Sequence, residues 1–293
     1  MSAELLEGKK IAAEIRAELA VEIGRLKERG ITPGLGVVLV GDDPASHSYV
    51  TAKEQTCREL GMYSDDNRLP ATATRTELLD RIERLNNDPH IHGILVQLPL
   101  PRHLNETEVL NAVRPDKDVD GFHPVNVGRM VLGQPSFWPC TPHGVLQMLA
   151  RSGVPTEGAH VVVVGRSPIV GRPLANLLLQ KMPLGNATVT VCHTATRDLG
   201  HFTRQADILI VAVGRPRMIT GDMVREGAVV IDVGVNRLPD PSKRSGFRLV
   251  GDVDFDAVRL KASKITPVPG GVGPMTITML LYNTLEAARR QAP

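Results

Sequence analysis

Tyr49 and Lys53 stand four residues apart in the segment PASHSYVTAKEQTC (44–57). On a helix that spacing puts a phenol ring and an amine on one face. A ring can stack on a flat heterocycle, and an amine can move a proton. Taken alone, Y-x-x-x-K reads as an ordinary surface pair. Far downstream, Val161 to Pro173 reads VVVVGRSPIVGRP. Four valines end at Gly165, and Gly171 precedes a helix that Pro173 helps to start. Such a turn offers backbone N–H groups and a helix dipole to a phosphate. Its spacing, G-x-S-x-x-x-G, departs from the commoner G-x-G-x-x-G fingerprint, but the strand before it and the βαβ pattern after it support a dinucleotide site. Together the two segments predict a redox enzyme with a second, proton-transferring step.

Other residues sharpen this. The second strand of the dinucleotide unit ends near Cys192, where an NAD site usually places a carboxylate for the ribose hydroxyl. The chain instead reads Cys192, His193, Thr194. Arg166, in the phosphate turn, suits a 2′-phosphate through charge-assisted hydrogen bonds, so NADP is expected over NAD. The alternative for Arg166 is an exposed loop arginine. Gln97 ends the buried run ILVQLPLP, at the strand end where parallel sheets hold ligands, and could tune a nearby amine or simply be a satisfied strand-end group. Asp116, Asp118 and Asp120 before Gly121 resemble the start of a calcium loop. Val127 stands where the loop needs its glutamate, so calcium is rejected. The run PVPGGVGP (267–274) lets backbone approach a ligand closely or serves as a rigid connector. The nine histidines show no metal-binding spacing, and no G-x-S-x-G elbow occurs. In short-chain dehydrogenases, which also use Y-x-x-x-K, the Gly-rich turn comes first. Here it follows the pair, which argues against that family.

These residues need a scaffold. The chain has 293 residues, enough for two domains. Only 3% of residues are aromatic, so aliphatic side chains must fill the cores. Lys and Arg (34) nearly balance Asp and Glu (32), which suggests neither a nucleic-acid nor a membrane-surface binder. Cys57, Cys140 and Cys192 are too sparse for a disulfide framework. The start lacks the apolar run of a signal peptide, and no stretch reaches the roughly 20 apolar residues of a membrane helix, so a cytoplasmic protein is expected. Ile11, Ile15, Leu19, Ile23 and Leu26 mark an amphipathic helix. Strands are expected at 35–40, 62–69 and 93–97, with helices capped by Asp43, by a Thr74/Glu77 capping box and by Asn105. Residues 115–139 look irregular, and a helix opens at Thr141. Alternation then restarts, with strands at 161–164, 188–192, 208–213, 229–233 and 265–268, before a last helix from Pro274. The fold class is therefore α/β: two domains with parallel sheets, the second a Rossmann-like dinucleotide-binding domain.

The segments PASHSYVTAKEQTCRELGM (44–62), GILVQLPLP (93–101), DKDVDGFHPVNVGR (116–129), PCTPHGVLQML (139–149), VVGRSPIVGRP (163–173), DVGVNR (232–237) and TPVPGGVGPMT (266–276) occur in order along the whole chain. Together they strongly resemble the bifunctional methylenetetrahydrofolate dehydrogenase/methenyltetrahydrofolate cyclohydrolase family, of the bacterial FolD type. The resemblance implies NADP-dependent oxidation of 5,10-methylenetetrahydrofolate to the methenyl cation, then hydrolysis to 10-formyltetrahydrofolate. The last helix is expected to pack back on the first domain, giving domains of residues 1–140 plus 270–293 and 141–269. The resemblance makes the first the folate-binding catalytic domain and the second the NADP-binding domain. It makes Lys53 the key catalytic residue, with Tyr49 stacking on the folate, Gln97 assisting Lys53 and Asp120 bonding the pterin edge. Gly165, Arg166, Ser167 and Thr194 would bind NADP, and Val235 would line its nicotinamide end. Pro269, Gly270 and Gly273 would border the folate, and a homodimer is expected. The chain departs from the pattern at Ala195, where many relatives carry Lys, so NADP selection rests mostly on Arg166. Alternatives are a monofunctional dehydrogenase, a silent folate- or dinucleotide-binding module, and a hydroxy-acid or amino-acid dehydrogenase of similar build. The silent module has no need of the amine. The last would need a carboxylate-binding basic cluster in the first domain, and none is visible.

Overall fold

The computed structural model describes residues 2–243 and 246–292. The chain divides into two compact units, one formed by residues 13–140 and 277–293, the other by 1–12 and 141–276. It opens with a short strand, β1 (Glu4–Leu5), and a long helix, α1 (Gly8–Glu28).

The first unit continues with β2 (Gly34–Val40), α2 (Pro44–Glu59), β3 (Tyr63–Leu69), α3 (Arg75–Asn87), β4 (Gly93–Val96), α4 (Glu106–Ala112) and α5 (Pro124–Val131). Its sheet is parallel, in the order β3-β2-β4. All seven residues of β2 are buried, as expected of a central parallel strand covered on both faces. The helices start where their caps direct. The Asp43 side chain accepts from the Ser46 N–H with Pro44 in the first turn, the Thr74–Glu77 capping box is complete, and Asn105 accepts from the Glu108 N–H. A core of Val38, Leu78, Ile82, Leu85, Ile94 and Val96 packs α3 on the sheet.

The second unit holds α6 (Cys140–Arg151), β5 (His160–Val164), α7 (Gly171–Leu178), β6 (Thr188–Cys192), α8 (Leu199–Thr203), β7 (Ile208–Val211), β8 (Val229–Asp232), the antiparallel pair β9 (Asn236–Pro239) and β10 (Phe247–Val250), α9 (Phe255–Val258), β11 (Lys264–Ile265) and the start of α10 (Val272–Gln291). Its main sheet is parallel, in the order β1-β11-β8-β7-β5-β6. This is a Rossmann-like arrangement in which β5 is flanked by β6 and β7.

Three features differ from the sequence expectation. Residues 1–12 group with the second unit because β1 pairs with β11, Glu4 opposite Lys264. The segment 115–139 contains α5, started by Pro124 and capped by the His123 ring, which accepts from the Val125 N–H. The strand expected at 265–268 stops at Ile265. There the Asp232 N–H donates to Thr266 Oγ1 instead of to backbone, and Pro267 has no N–H to extend the ladder. Among the described residues, no helix is long and apolar enough to cross a membrane.

The distal part of α10 belongs to the first unit. Buried Asn283 donates to the carbonyls of Val119 (2.8 Å) and Trp138 (3.0 Å), on either side of Asp120 and Cys140 in the chain. Asn283→Leu takes this donor from both carbonyls and leaves Val119 with the weaker Cys140 thiol, and losing a buried hydrogen bond of this kind costs about 1–3 kcal/mol. Urea unfolding of the variant is expected to show a loss of about 1–3 kcal/mol. A change below about 0.5 kcal/mol, the range of neutral surface substitutions, would contradict this role.

Candidate active site

Helix α2 carries Ser46, Val50, Lys53 and Cys57 on its buried face, at spacings of four, three and four residues. Lys53 therefore occupies a position where the helical period calls for an apolar side chain, and only 4% of it is exposed. Its Nζ donates to Gln97 Oε1 at 3.1 Å and sits 4.7 Å from the centroid of the Tyr49 ring. Gln97 is held at the end of β4: its backbone N–H donates to the Val38 carbonyl at 2.9 Å and its Nε2 to the Leu98 carbonyl at 2.6 Å. The amide oxygen is thereby left to accept from the amine.

Asp120 is brought to the same place by the chain that follows α4. The Ile94 N–H donates to the Lys117 carbonyl at 2.7 Å, and Ile94 forms a parallel bridge with Asp118, so residues 117–120 run alongside β4. Asp118 anchors the turn. Its carboxylate accepts from the Phe122 N–H (3.2 Å), the His123 N–H (2.8 Å) and Asn126 Nδ2 (2.9 Å). Buried Cys140, at the start of α6, donates its thiol to the Val119 carbonyl at 3.3 Å. Burial pushes the Lys53 amine below its ordinary range, against the opposing pull of Asp120 and then of Cys140. Burial likewise raises Asp120, opposed by the nearby Lys53 charge. The Cys140 thiol is raised well above its usual range, first by burial and then by Asp120. The result is a buried amine and thiol beside a part-buried carboxyl, with linked charge states.

Lys117 shows what a structural buried lysine looks like here. It is also 4% exposed, but its ammonium donates to two carbonyls, Leu85 (3.1 Å) and Asp88 (2.8 Å). Among the described residues, the Lys53 ammonium has one hydrogen-bond acceptor and one ring face. That leaves donor capacity for a ligand.

In the second unit, the turn after β5 has the features of a phosphate cradle. Gly165 has φ +129°, and a Cβ there would collide with the Ala212 carbonyl oxygen; a Cβ on Gly171 would strike the carbonyl of Gly165. Both positions need glycine. The Ser167 hydroxyl accepts from the N–H groups of Val170 (3.1 Å) and Gly171 (3.4 Å), fixing the entry to α7. Gly165, Arg166, Ser167 and Thr194 line one cavity of about 480 Å³. Val235 lies outside it, exposed between β8 and β9. Gly270 has φ +103° and follows Pro269, and Gly273 lies in the first turn of α10; all three group with the second unit.

Two family descriptions match this chain: the NAD(P)-binding domain of tetrahydrofolate dehydrogenase/cyclohydrolase over residues 139–292, and the catalytic domain of the same family over residues 6–120. The chain belongs to the tetrahydrofolate dehydrogenase/cyclohydrolase family. It is 61% identical to the bifunctional protein FolD of Syntrophus aciditrophicus, over 100% of this chain and 99% of that one. Its fold is similar to the FolD dehydrogenase/cyclohydrolase of Campylobacter jejuni (50% identity, TM-score 0.92, 99% of each chain). It is also similar to the Trypanosoma brucei FolD complexed with NADP cofactor and inhibitor (41% identity, TM-score 0.94, 99% of this chain and 98% of that one).

The catalytic-domain match holds Tyr49, Lys53, Gln97 and Asp120, and the NAD(P)-binding match holds the Gly165 turn. Several residues packed around these clusters escaped the sequence reading. Cys140 sits in the PCTP segment, but nothing in its spacing tied it to Asp120. Asn283 lies in an apolar helix far from the motifs. Arg215 lines the cavity at the Gly165 turn from the loop after β7. Asp232 and Asp252 are buried where that loop is anchored.

In this cluster the Asp120 carboxylate favours the protonated Lys53. Asp120→Asn removes that charge, so the amine should give up its proton at a lower pH. The acidic limb of any rate that needs neutral Lys53 is then expected to move to lower pH in the variant. An unmoved or higher limb would show that Asp120 does not act on Lys53.

Proposed function

We propose that the protein is a bifunctional, NADP-dependent enzyme that oxidises 5,10-methylenetetrahydrofolate to 5,10-methenyltetrahydrofolate and hydrolyses that cation to 10-formyltetrahydrofolate. The observation that carries the reading is the buried Lys53 amine, held by a single amide oxygen beside the Tyr49 ring. The unit with Lys53 is assigned to the folate, and the unit with the Gly165 turn to the cofactor.

In this reading Tyr49 stacks on the folate ring system. Asp120 accepts from the pterin N–H edge, where a carboxylate matches two donors. Gln97 holds the Lys53 amine in place. NADP, when bound, supplies the hydride acceptor, and Gly165, Arg166, Ser167 and Thr194 hold it, with Val235 assigned to its nicotinamide end by family resemblance. Pro269, Gly270 and Gly273 are assigned to the folate on the same ground. As hydride leaves the methylene carbon, the flanking nitrogen lone pairs stabilise the cation, so this step asks mainly for placement. Hydrolysis asks for proton transfer. A water adds to the methenyl carbon and gives a proton to neutral Lys53. The resulting ammonium then protonates N5 as the C–N5 bond breaks, and the new hydroxyl loses its proton to water to become the formyl oxygen. Burial lowers the Lys53 pKa in the direction this role needs.

The enzyme is further proposed to be a cytoplasmic homodimer. β3 is an edge strand of its sheet and offers unpaired backbone to a second copy.

Lys53→Met is the direct test. Loss of a general acid–base group typically costs about 10²–10⁴-fold. The variant is expected to lose enzyme-accelerated decay of the methenyl cation, followed by its near-ultraviolet absorbance, by at least about 10²-fold. Undiminished hydrolysis would remove Lys53 from this role. A wild-type enzyme that releases methenyl product in step with reduced cofactor, and never speeds its decay, would make the protein a monofunctional dehydrogenase.

A further inference from the structure

The cofactor cavity is walled by loops that follow three adjacent strands: Arg166 comes after β5, Thr194 after β6 and Arg215 after β7. Leu199, Val213 and Met218 give it an apolar side suited to a flat base. Its lining contains two arginines and no carboxylate. Both arginines are exposed, and among the described residues neither guanidinium has a hydrogen-bond or ion-pair partner. Ala195, on the loop after β6, adds no charge.

The backbone that delivers Arg215 is built rather than loose. The Val213 and Gly214 N–H groups donate to Asp252 Oδ2 at 2.7 and 2.9 Å. Asp252 is fully buried, and its Oδ1 accepts from Asn236 Nδ2 at 2.8 Å. The Asp252 N–H in turn donates to Asp232 Oδ1 at 3.0 Å, and the Val253 N–H to Asp232 Oδ2 at 2.9 Å. A relay of two buried carboxylates thus fixes the loop from the end of β8 and leaves the guanidinium free for a ligand.

The geometry points to Arg215 as a specificity-determining residue: with Arg166 it forms a two-guanidinium clamp on the 2′-phosphate of NADP. This rests on the cofactor reading above and extends it. The 2′-phosphate carries nearly two negative charges, which one arginine cannot balance. An apolar base slot in the same cavity places the adenosine end, and so its 2′-phosphate, within the reach of both side chains. Guanidinium–phosphate pairs are directional and charge-assisted, which suits them to telling NADP from NAD.

Calorimetric titration of NADP+, NAD+ and 2′,5′-ADP into wild type, Arg166→Gln, Arg215→Gln and Arg215→Lys tests the clamp. Loss of one hydrogen-bonded charge pair is worth about tenfold in affinity or more. Arg215→Gln is expected to weaken NADP+ and 2′,5′-ADP by at least about tenfold and NAD+ by less than about twofold, with partial recovery in Arg215→Lys. Because Arg215 is exposed, its variants should melt with the wild type. Equal weakening of NADP+ and NAD+, or no weakening of either, would overturn the assignment of Arg215. If Arg166→Gln abolishes the preference while Arg215→Gln leaves it intact, the cofactor reading stands and the clamp falls. Wild-type protein that binds NAD+ as tightly as NADP+ would defeat the cofactor reading itself.

Discussion

An ammonium set on the buried face of a helix must find acceptors, give up its proton, or wait for a ligand. Lys53 is in that position because α2 places it in register with Ser46, Val50 and Cys57. Removing the charge from water costs several kcal/mol unless it is compensated. Gln97 and the Tyr49 ring compensate only in part, and Asp120 supplies the opposing charge. Burial makes the amine give up its proton more readily than an ordinary lysine, against the pull of Asp120. That direction is what a group needs if it is to accept a proton and return it within one turnover. Lys117, equally buried, donates to two carbonyls, so more of its hydrogen-bonding capacity is taken up within the fold.

The remainder of the first unit keeps that constraint in place. β4 ends at Gln97, the 117–120 segment runs beside it, Asp118 pins the turn, and Asn283 of α10 grips the carbonyls of Val119 and Trp138. Each of these is a backbone anchor made by a buried polar side chain, and such anchors rigidify because leaving one unmade is costly. The second unit uses the same device. Asp232 and Asp252 hold the loops at the ends of β7 and β8 as Asp118 holds the loop around Asp120. In both units buried polar anchors fix the backbone around side chains that keep donor capacity: Lys53 in one, Arg166 and Arg215 in the other.

Local signals were the legible part of the sequence. Asp43 with Pro44, Thr74 with Glu77, and the valine run before Gly165 each act within a few residues, and each element forms where they indicate. Lys53 was legible as one partner of Tyr49, and its burial could also have been read from the 46–50–53–57 period. What depends on distant chain was not legible. The β1–β11 pairing that carries residues 1–12 into the second unit joins segments about as far apart as the chain allows. β11 is cut short by a Thr266 side chain reaching Asp232. α5 starts behind a histidine cap in a stretch whose prolines and glycines look irregular. Cys140, Asn283 and Arg215 reach their sites only through tertiary packing, so their local sequence gives no sign of what they touch.

The central claim is that Lys53 sits in the folded protein with an amine that loses its proton more readily than an ordinary lysine. Direct titration of the Lys53 side chain by carbon-13 NMR, with the signal assigned by its absence in Lys53→Met, measures this without turnover. The account predicts a midpoint clearly below the ordinary 10.5 of a lysine. A midpoint at or above that value would contradict it.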